Sequence, residues 1–170
     1  PPPKKEIDWG LELGAGLVYL SPDAVAPRVE LGGSLGRGRW RAVLDVGAEL
    51  DSSYGVGSRT FTTFSSSVRV GARYLFVSGE RGRLGVDFAA AWLENRYRRD
   101  LAGATTRTWS DFGVFIGLFG RARLAGPLGL FLRVGAAIFP TARVTSISDG
   151  PEKQVNLLTV PAVAGLDFDF

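Results

Sequence analysis

The stretch Gly165-Leu166-Asp167-Phe168-Asp169-Phe170, which ends the sequence, alternates apolar and polar side chains and finishes on an aromatic residue. Read backwards from Phe170, apolar side chains occupy every second position as far as Leu158. Because successive side chains of a β-strand point to opposite faces, this pattern predicts a long strand with one wholly apolar face. Such a face needs either a protein core or a lipid environment to cover it.

The same alternation recurs in seven earlier segments of the chain. It predicts strands at residues 7–20, 28–36, 40–50, 62–76, 83–94, 110–124 and 128–139, before a last strand that starts near 155. Short turns are predicted at 37–39, 77–82 and 125–127, and longer loops at 51–61, 95–109 and 140–154, with a moderate loop at 21–27. An even number of strands, with short turns on one rim and long loops on the other, is typical of a transmembrane barrel.

The terminal strand resembles the last strand of bacterial outer-membrane β-barrels, in which a terminal aromatic and the preceding glycine and apolar positions form the assembly signal. Gly165, Phe168 and Phe170 match that signal, whereas Val163 stands where the family usually has a polar residue. The resemblance to small OmpA-type and OmpX-type proteins implies an all-β fold, an eight-stranded antiparallel up-and-down transmembrane β-barrel. It also implies insertion by the barrel-assembly machinery into the bacterial outer membrane, with both termini periplasmic.

Aromatic residues that share a face with the apolar side chains lie near both ends of the predicted strands. This placement matches the two membrane interfaces, where Trp and Tyr are enriched. One predicted girdle, at the end that carries the short turns, contains Trp9, Trp40, Tyr74, Phe76, Phe168 and Phe170. The other contains Tyr19 and Trp92.

Composition excludes several classes of protein. No apolar run approaches the roughly 18 residues of a spanning helix, which excludes a helical membrane protein. Cys and His are both absent, so thiol chemistry and the commonest general base and metal ligand are not available. The resemblance implies that an enzyme of this class, such as a lipid A deacylase, a palmitoyl transferase or an omptin protease, would need His in its active site. We therefore expect no catalytic residue, no metal site and no cofactor.

The ends and the overall charge give weaker indications. Residues 1–6 open with three prolines and are predicted to be a Pro-rich periplasmic linker, followed by a barrel domain at 7–170. Met is absent, so the sequence is expected to be a processed or excised product. A net charge of +3, with both signs spread along the chain, disfavours binding to nucleic acid.

The parity opposite the apolar face carries charges of both signs and is predicted to face the lumen. The predicted lumen ion-pair network comprises Glu12, Glu30, Arg41, Asp45, Glu49, Arg69, Arg73, Asp87, Arg121 and Arg133, and Asp111, Arg123 and Asp167 share its parity. Unpaired charges would be costly in a narrow lumen, so these groups are expected to satisfy one another. Eight strands leave room only for side chains, which favours a structural plug over a gated ion or proton path.

Two further groups of residues stand out. Arg96, Arg98, Arg99 and Arg107 lie in the most basic predicted loop, where guanidinium groups suit lipopolysaccharide phosphates, although an ordinary solvated loop is the favoured explanation. The run 65–67 offers three serine hydroxyls without an evident base, and is interpreted as a strand edge or loop segment.

The sequence favours a non-enzymatic integral outer-membrane barrel that acts as a structural anchor or as a subunit of an envelope assembly. Its expected partners are the lipid bilayer, lipopolysaccharide, the barrel-assembly machinery and other envelope proteins. One alternative is a small channel or a surface ligand-binding or adhesion barrel. A further alternative is a soluble lipocalin-like ligand carrier, in which the apolar face would line the cavity.

Overall fold

The computed structural model describes residues 7–20, 24–56, 59–99, 107–140, 144–145, 153–154 and 158–170, so the predicted linker at 1–6 lies outside the described residues. The strands are β1 Asp8–Leu20, β2 Ala24–Arg37, β3 Trp40–Val56, β4 Arg59–Ser78, β5 Gly82–Arg99, β6 Arg107–Ala125, β7 Leu128–Ile138, β8 Val144–Thr145, β9 Lys153–Gln154 and β10 Leu158–Asp169. No helix in the described part of the chain is long and apolar enough to cross a membrane.

Eight of these strands close into a barrel in the order β1-β2-β3-β4-β5-β6-β7-β10, and β10 pairs back onto β1. All neighbouring strands are antiparallel, so the predicted fold class is confirmed. Short connections at 38–39, 79–81 and 126–127 lie at the same end as Phe170, and we call this end the short-turn rim. Gly38 and Gly126 have φ of +69° and +54°, a backbone conformation that glycine adopts without a steric penalty.

The apolar face of the strands points outward. Large apolar side chains such as Leu13, Ile116 and Leu118 are more than half exposed, while the alternate positions point into the lumen. This arrangement is the reverse of the one that a lipocalin-like carrier requires, so that alternative is wrong. The outward belt instead matches the apolar band that outer-membrane barrels present to lipid.

The loops predicted at 51–61 and 95–109 are too long, because the strands extend into them from both sides. β3 continues to Val56 and β4 starts at Arg59, while β5 continues to Arg99 and β6 starts at Arg107. The apolar alternation stops near Leu50, where the pairing of β3 with β4 shifts register between Glu49 and Ser52. Residues 51–60 have no sustained apolar alternation, so the pattern used to find strands ends before the strands do.

The predicted loop at 140–154 is longer than expected, since β7 ends at Ile138 and β10 begins at Leu158, whereas the predicted loop at 21–27 is shorter. The first contains the small β8–β9 pair, and the second ends at Ala24, where β2 begins. β3 to β6 are therefore the longest strands, with 17 to 20 residues, and rise beyond the shorter β1, β2, β7 and β10 as a four-stranded extension.

The barrel closes where β1 meets β10. Trp9 and Phe170 exchange two backbone hydrogen bonds of 3.1 and 2.8 Å, and their rings stack with centroids 4.3 Å apart. Gly165 lies opposite Gly14, so close that a Cβ on Gly165 would stand 2.5 Å from the Gly14 Cα. The glycine and the terminal aromatic of the predicted assembly signal thus each have a packing role at the closing seam.

Candidate functional site in the barrel lumen

The structure places every residue of the predicted lumen network inside the barrel. Their side chains are buried and come from seven strands: Glu12 (β1), Glu30 (β2), Arg41, Asp45 and Glu49 (β3), Arg69 and Arg73 (β4), Asp87 (β5), Arg121 (β6) and Arg133 (β7). Asp111 and Asp167 are buried as well.

Arg123 does not point into the lumen, so the prediction made for it is wrong. The pairing of β6 with β7 shifts register between Arg123 and Ala125, next to the turn at 126–127. The guanidinium of Arg123 is exposed, and its Nε donates a 2.7 Å hydrogen bond to the carbonyl of Gly126.

Arg133 is the centre of the network. Its guanidinium reaches across the lumen from β7 and forms ion pairs with four carboxylates. It lies 2.9 Å from Asp45 and 3.1 Å from Asp87, and it also contacts Glu12 and Glu30 directly. These carboxylates belong to β1, β2, β3 and β5, so one cation joins strands from both sides of the barrel.

Arg73 holds two of the same carboxylates from the opposite wall. Its Nε and Nη2 donate to the two oxygens of Asp87 at 2.7 and 3.0 Å, the bidentate arrangement that the guanidinium fork favours. Its Nη1 donates to Glu12 at 2.6 Å. Glu12 is therefore shared between Arg73 and Arg133.

Arg28 extends the network away from the short-turn rim. It pairs with Glu49 and Glu30, and it donates a 2.9 Å hydrogen bond to the Ser67 hydroxyl. Arg69 completes this level by pairing with Glu30. Sequence reasoning did not select Arg28, which stands at the edge of the predicted second strand, although its shared parity with Glu30 was the available signal.

The four network cations face five carboxylates, so charges largely cancel inside the barrel. The cations are Arg28, Arg69, Arg73 and Arg133, and the carboxylates are Glu12, Glu30, Asp45, Glu49 and Asp87. Buried charges are tolerated only when they are paired and hydrogen-bonded in this way.

A second cluster, the rim cluster, closes the lumen at the short-turn rim. Arg41 pairs with Asp8 at 2.8 Å and with Asp169 at 3.1 Å. Arg83 pairs with Asp169 at 2.5 Å, and Arg121 pairs with Asp167. The two aspartates of the last strand are thereby linked to β3, β5 and β6. Asp8, Arg83 and Asp169 were not predicted site residues, because they lie at strand ends, where parity is a weak guide.

Aromatic and aliphatic side chains fill the other half of the lumen. They form two buried clusters, one of Ala91, Leu93, Phe115, Ala137 and Phe139, the other of Leu75, Phe119, Phe131 and Val163. Val163, the position at which the terminal strand departs from the family pattern, therefore points inward and packs against apolar neighbours. The face of each of two rings meets a guanidinium: Arg69 lies 4.3 Å from the Phe115 centroid and Arg73 lies 3.4 Å from that of Phe119.

Paired glycines make room for one of these rings. Gly117 and Gly135 face each other across β6 and β7. A Cβ on Gly117 would lie 2.6 Å from the Phe115 ring, and a Cβ on Gly135 would overlap the same ring. The two glycines thus form a slot that holds Phe115 beneath Arg69.

Little space remains along the axis. Between the network and the rim cluster the structure contains a void of about 10 Å³, lined in part by Arg73, Phe119, Arg121 and Asp167, which is about the volume of one water probe. A wider cleft of about 740 Å³ opens outside the rim cluster, near Glu80 and Pro127. The lumen is therefore packed rather than open at this level.

The serine run lies in the middle of β4 and is neither a strand edge nor a loop. Ser65 points inward and donates a 2.8 Å hydrogen bond to Asn95, whose amide donates to Asp111 at 3.5 Å. Within the described ranges, no group of three carboxylate, His or Cys side chains is placed to bind a metal ion. Ser65 and Ser67 thus serve the hydrogen bonding of the lumen.

The predicted anion-binding arginines lie on strands of the extension rather than in a loop. Arg96, Arg98 and Arg99 belong to the end of β5, and Arg107 begins β6 directly opposite Tyr97. The Arg96 side chain is exposed and pairs with Glu94 at 2.7 Å. The side chains of the other three lie outside the described part of the structure.

Comparison with solved structures identifies the architecture. The major outer membrane protein of Thermus thermophilus superposes with a TM-score of 0.68 at 15% identity, covering 97% of this chain and all of that one. Ail of Yersinia pestis, solved with the heparin analogue sucrose octasulfate, gives 0.61 at 9% identity over 98% and 99% of the two chains. Neisserial surface protein A gives 0.60 at 14% identity over 96% and 97%.

The fold is therefore that of small eight-stranded outer-membrane barrels, as the terminal strand predicted. No protein-family model matches the sequence, and no curated protein matches it.

Proposed function

We propose that this chain is a non-enzymatic barrel of the bacterial outer membrane whose lumen is a solid structural plug. The middle part of each barrel strand presents apolar side chains to lipid, and the short-turn rim faces the periplasm. In this role the barrel anchors or supports an envelope assembly. It does not conduct solutes.

The observation that carries this proposal is the contact set of Arg133. One guanidinium touches four carboxylates from four strands, and every one of these side chains is at most 3% exposed. An ion that passed through would have to part these pairs in a medium of low dielectric constant, which costs several kcal/mol for each separated charge. The void between the network and the rim cluster is only about 10 Å³, too small for a solute at that level.

Planar-bilayer recording tests the plug. The purified protein, shown to be folded by its heat-modifiable migration on gels, should give no conductance steps above the bare membrane. A large porin reconstituted in the same bilayers serves as the positive control. Regular conductance steps from the folded protein would overturn the plug and establish the channel alternative.

Orientation can be tested because the chain contains no cysteine. Arg81→Cys places a unique thiol in a short turn, and Ser53→Cys places one in the β3 extension. A membrane-impermeant maleimide applied to whole cells should label Ser53→Cys, and should label Arg81→Cys only after the outer membrane is opened. The reverse pattern would contradict periplasmic termini.

The assembly signal is tested at the closing seam. Phe170→Ala removes the ring that stacks on Trp9, and we propose that it also weakens recognition by the barrel-assembly machinery. Cells producing this variant should contain less heat-modifiable protein in the outer membrane, whereas refolding of the purified variant in detergent should be less affected. If both fall equally, Phe170 acts in packing alone.

A second candidate function is binding of anionic glycans or lipopolysaccharide at the extension. It is favoured by the pairing of β5 with β6. This pairing brings the basic ends of the two strands, Arg96 to Arg99 and Arg107, to the same end of the barrel. Of the structural neighbours, Ail was crystallised with a heparin analogue, although its 9% identity carries no site across. Glu94, which already pairs with Arg96, would compete with any such anion.

Neutralising all four arginines to glutamine tests this candidate. Binding to immobilised heparin and to lipopolysaccharide should fall, with a strong salt dependence in the wild type. A variant with Arg81 and Arg123 changed, at the opposite rim, controls for the loss of positive charge. Unchanged binding by the four-fold variant would remove the hypothesis.

A further inference from the structure

The short-turn rim carries cations of two kinds, which differ in their partners. The inward arginines, Arg41, Arg83 and Arg121, are all paired with aspartates of the rim cluster. Arg37 and Arg39 are exposed, and neither has a carboxylate of the described residues within ion-pair distance. Their charge is therefore available to an external anion.

Arg37 and Arg39 flank an aromatic pair on the outer wall. Arg37 ends β2 on the same face as the exposed Leu35 and lies opposite Trp40. Trp40 is 59% exposed, and its ring centroid lies 4.9 Å from that of Tyr74 on the next strand. Arg39 extends its Nη1 to within 3.5 Å of the Tyr74 hydroxyl. Two guanidinium groups and two amphipathic rings thus occupy one patch, the headgroup patch.

The wall above the headgroup patch is apolar and so suited to contact with a hydrocarbon chain. In the next row of the outer face, Leu35, Ala42, Ala72 and Phe88 follow one another across β2 to β5. Ala42 and Ala72 lie directly above Trp40 and Tyr74, and the row beyond them, Leu44 and Val70, keeps the outer face apolar toward the middle of the barrel. Trp and Tyr favour the level at which headgroup and acyl chain meet.

We propose that this patch binds the phosphate of an anionic glycerophospholipid in the periplasmic leaflet, with one acyl chain along Ala42 and Ala72. This inference rests on the proposed function, because it needs the barrel to span the membrane with the short-turn rim on the periplasmic side. At the other aromatic pair of this rim, Trp9 with Phe170, the nearby cations Arg41 and Arg83 are already paired with Asp8 and Asp169. Anionic lipid should therefore prefer the headgroup patch to this second pair.

Native mass spectrometry of the whole protein in a zwitterionic detergent tests the patch, with phosphatidylglycerol and phosphatidylcholine of identical acyl chains as probes. Each basic residue near an anionic lipid surface strengthens binding by about fivefold. The double variant R37Q/R39Q should therefore lose about 30-fold in phosphatidylglycerol affinity and bind phosphatidylcholine as the wild type does. Arg37 and Arg39 are both exposed, as are the two arginines of the control variant described next, so the fold should persist in each variant.

The matched control is R81Q/R123Q, which removes two exposed charges from other turns of the same rim and should keep the wild-type preference. Unchanged phosphatidylglycerol binding by R37Q/R39Q would overturn the proposal, as would an equal loss in the control, which would show that only net charge matters. A wild-type protein that stays monomeric in buffer without detergent would instead overturn the proposed function itself.

Discussion

The two walls of the lumen are filled by different kinds of side chain, one mainly by ion pairs and the other mainly by aromatic and aliphatic groups. β1 to β4 contribute most of the ion-pair network, while β5, β6, β7 and β10 contribute most of the aromatic and aliphatic filling. The walls meet where Phe115 and Phe119 cover the faces of Arg69 and Arg73, whose edges bind carboxylates. A guanidinium can interact with both walls at once, because its N–H groups donate hydrogen bonds in the plane of the group while its planar face packs against an aromatic ring.

Arg133 departs from this division, since it projects from the apolar wall into the carboxylates of the charged one. It should therefore be the most sensitive position. Arg133→Met leaves four carboxylates without their shared cation, and removal of one partner of a buried pair costs about 3–5 kcal/mol. Urea unfolding in lipid vesicles, followed by tryptophan fluorescence, measures the loss.

The control for that prediction is Arg96→Met, which breaks only the exposed pair with Glu94 and should change stability by less than about 0.5 kcal/mol. Adding Asp45→Asn to Arg133→Met should recover part of the loss, since Asp45 then keeps only the 3.6 Å contact with Arg69, whereas Glu30 still has Arg28 and Arg69. Equal stability of Arg133→Met and Arg96→Met would show that the two walls are not electrostatically joined.

Gly117→Ala tests the apolar wall by overfilling it. The added Cβ would lie 2.6 Å from the Phe115 ring, which is held in a buried cluster and cannot swing aside as a flexible side chain does. Overpacking of this kind costs about 1–3 kcal/mol, and thermal unfolding on a gel-shift assay would detect it.

Gly120→Ala on the same strand is the matched control. Its added Cβ would approach only the tip of the Leu84 side chain, at 3.3 Å, on the lipid side. A cost for Gly120→Ala as large as that for Gly117→Ala would mean that the slot around Phe115 has no special role.

Phe119→Leu tests the contact between the walls. The change removes the ring face that lies 3.4 Å from the Arg73 guanidinium but keeps an apolar side chain in the cluster. A desolvated cation–π contact contributes about 2 kcal/mol, so a loss of about 1–2 kcal/mol is expected in the same urea experiment. Phe112→Leu changes an outward-facing ring and should have almost no effect. Comparable losses for the two variants would argue against a cation–π contribution.

Ser67→Ala should give the smallest of these effects, about 1 kcal/mol. It deletes one acceptor of Arg28, whose two carboxylate partners remain. Ser66→Ala, at the neighbouring position on the outer face, is the control and should be neutral. A Ser67→Ala protein as stable as the Ser66→Ala protein would show that the carboxylates alone hold Arg28.

The face that each strand residue occupies could be predicted from the sequence. Side chains alternate between two faces with a period of two, and the apolar face is the outer one. This alternation correctly separated Leu13 from Glu12 and Leu132 from Arg133. Leu93 and Phe139 share the inward parity and are buried, but parity says only which face a residue occupies and not at which level of the lumen it packs. That level depends on the register between strands, which no single segment encodes.

The partners within the network were beyond sequence reasoning for the same reason. Arg133 and Glu12 are 121 positions apart, and only the closed barrel brings them together. The extension was missed because its strands have lost the apolar alternation that reveals the others. Arg123 was misplaced because a register shift beside a turn breaks the period of two.

The large sequence separation of the network contacts has a consequence for how the barrel forms. A hairpin of two adjacent strands can complete its backbone ladder, yet Glu12 needs Arg73, 61 positions away, and Arg133, 121 positions away. Contacts of such high contact order are rewarded only after most of the chain is in place. A partly formed barrel therefore contains buried charges that lack their ion-pair partners. The last strands to pair supply these partners and stabilise the interior, which makes closure of the barrel cooperative.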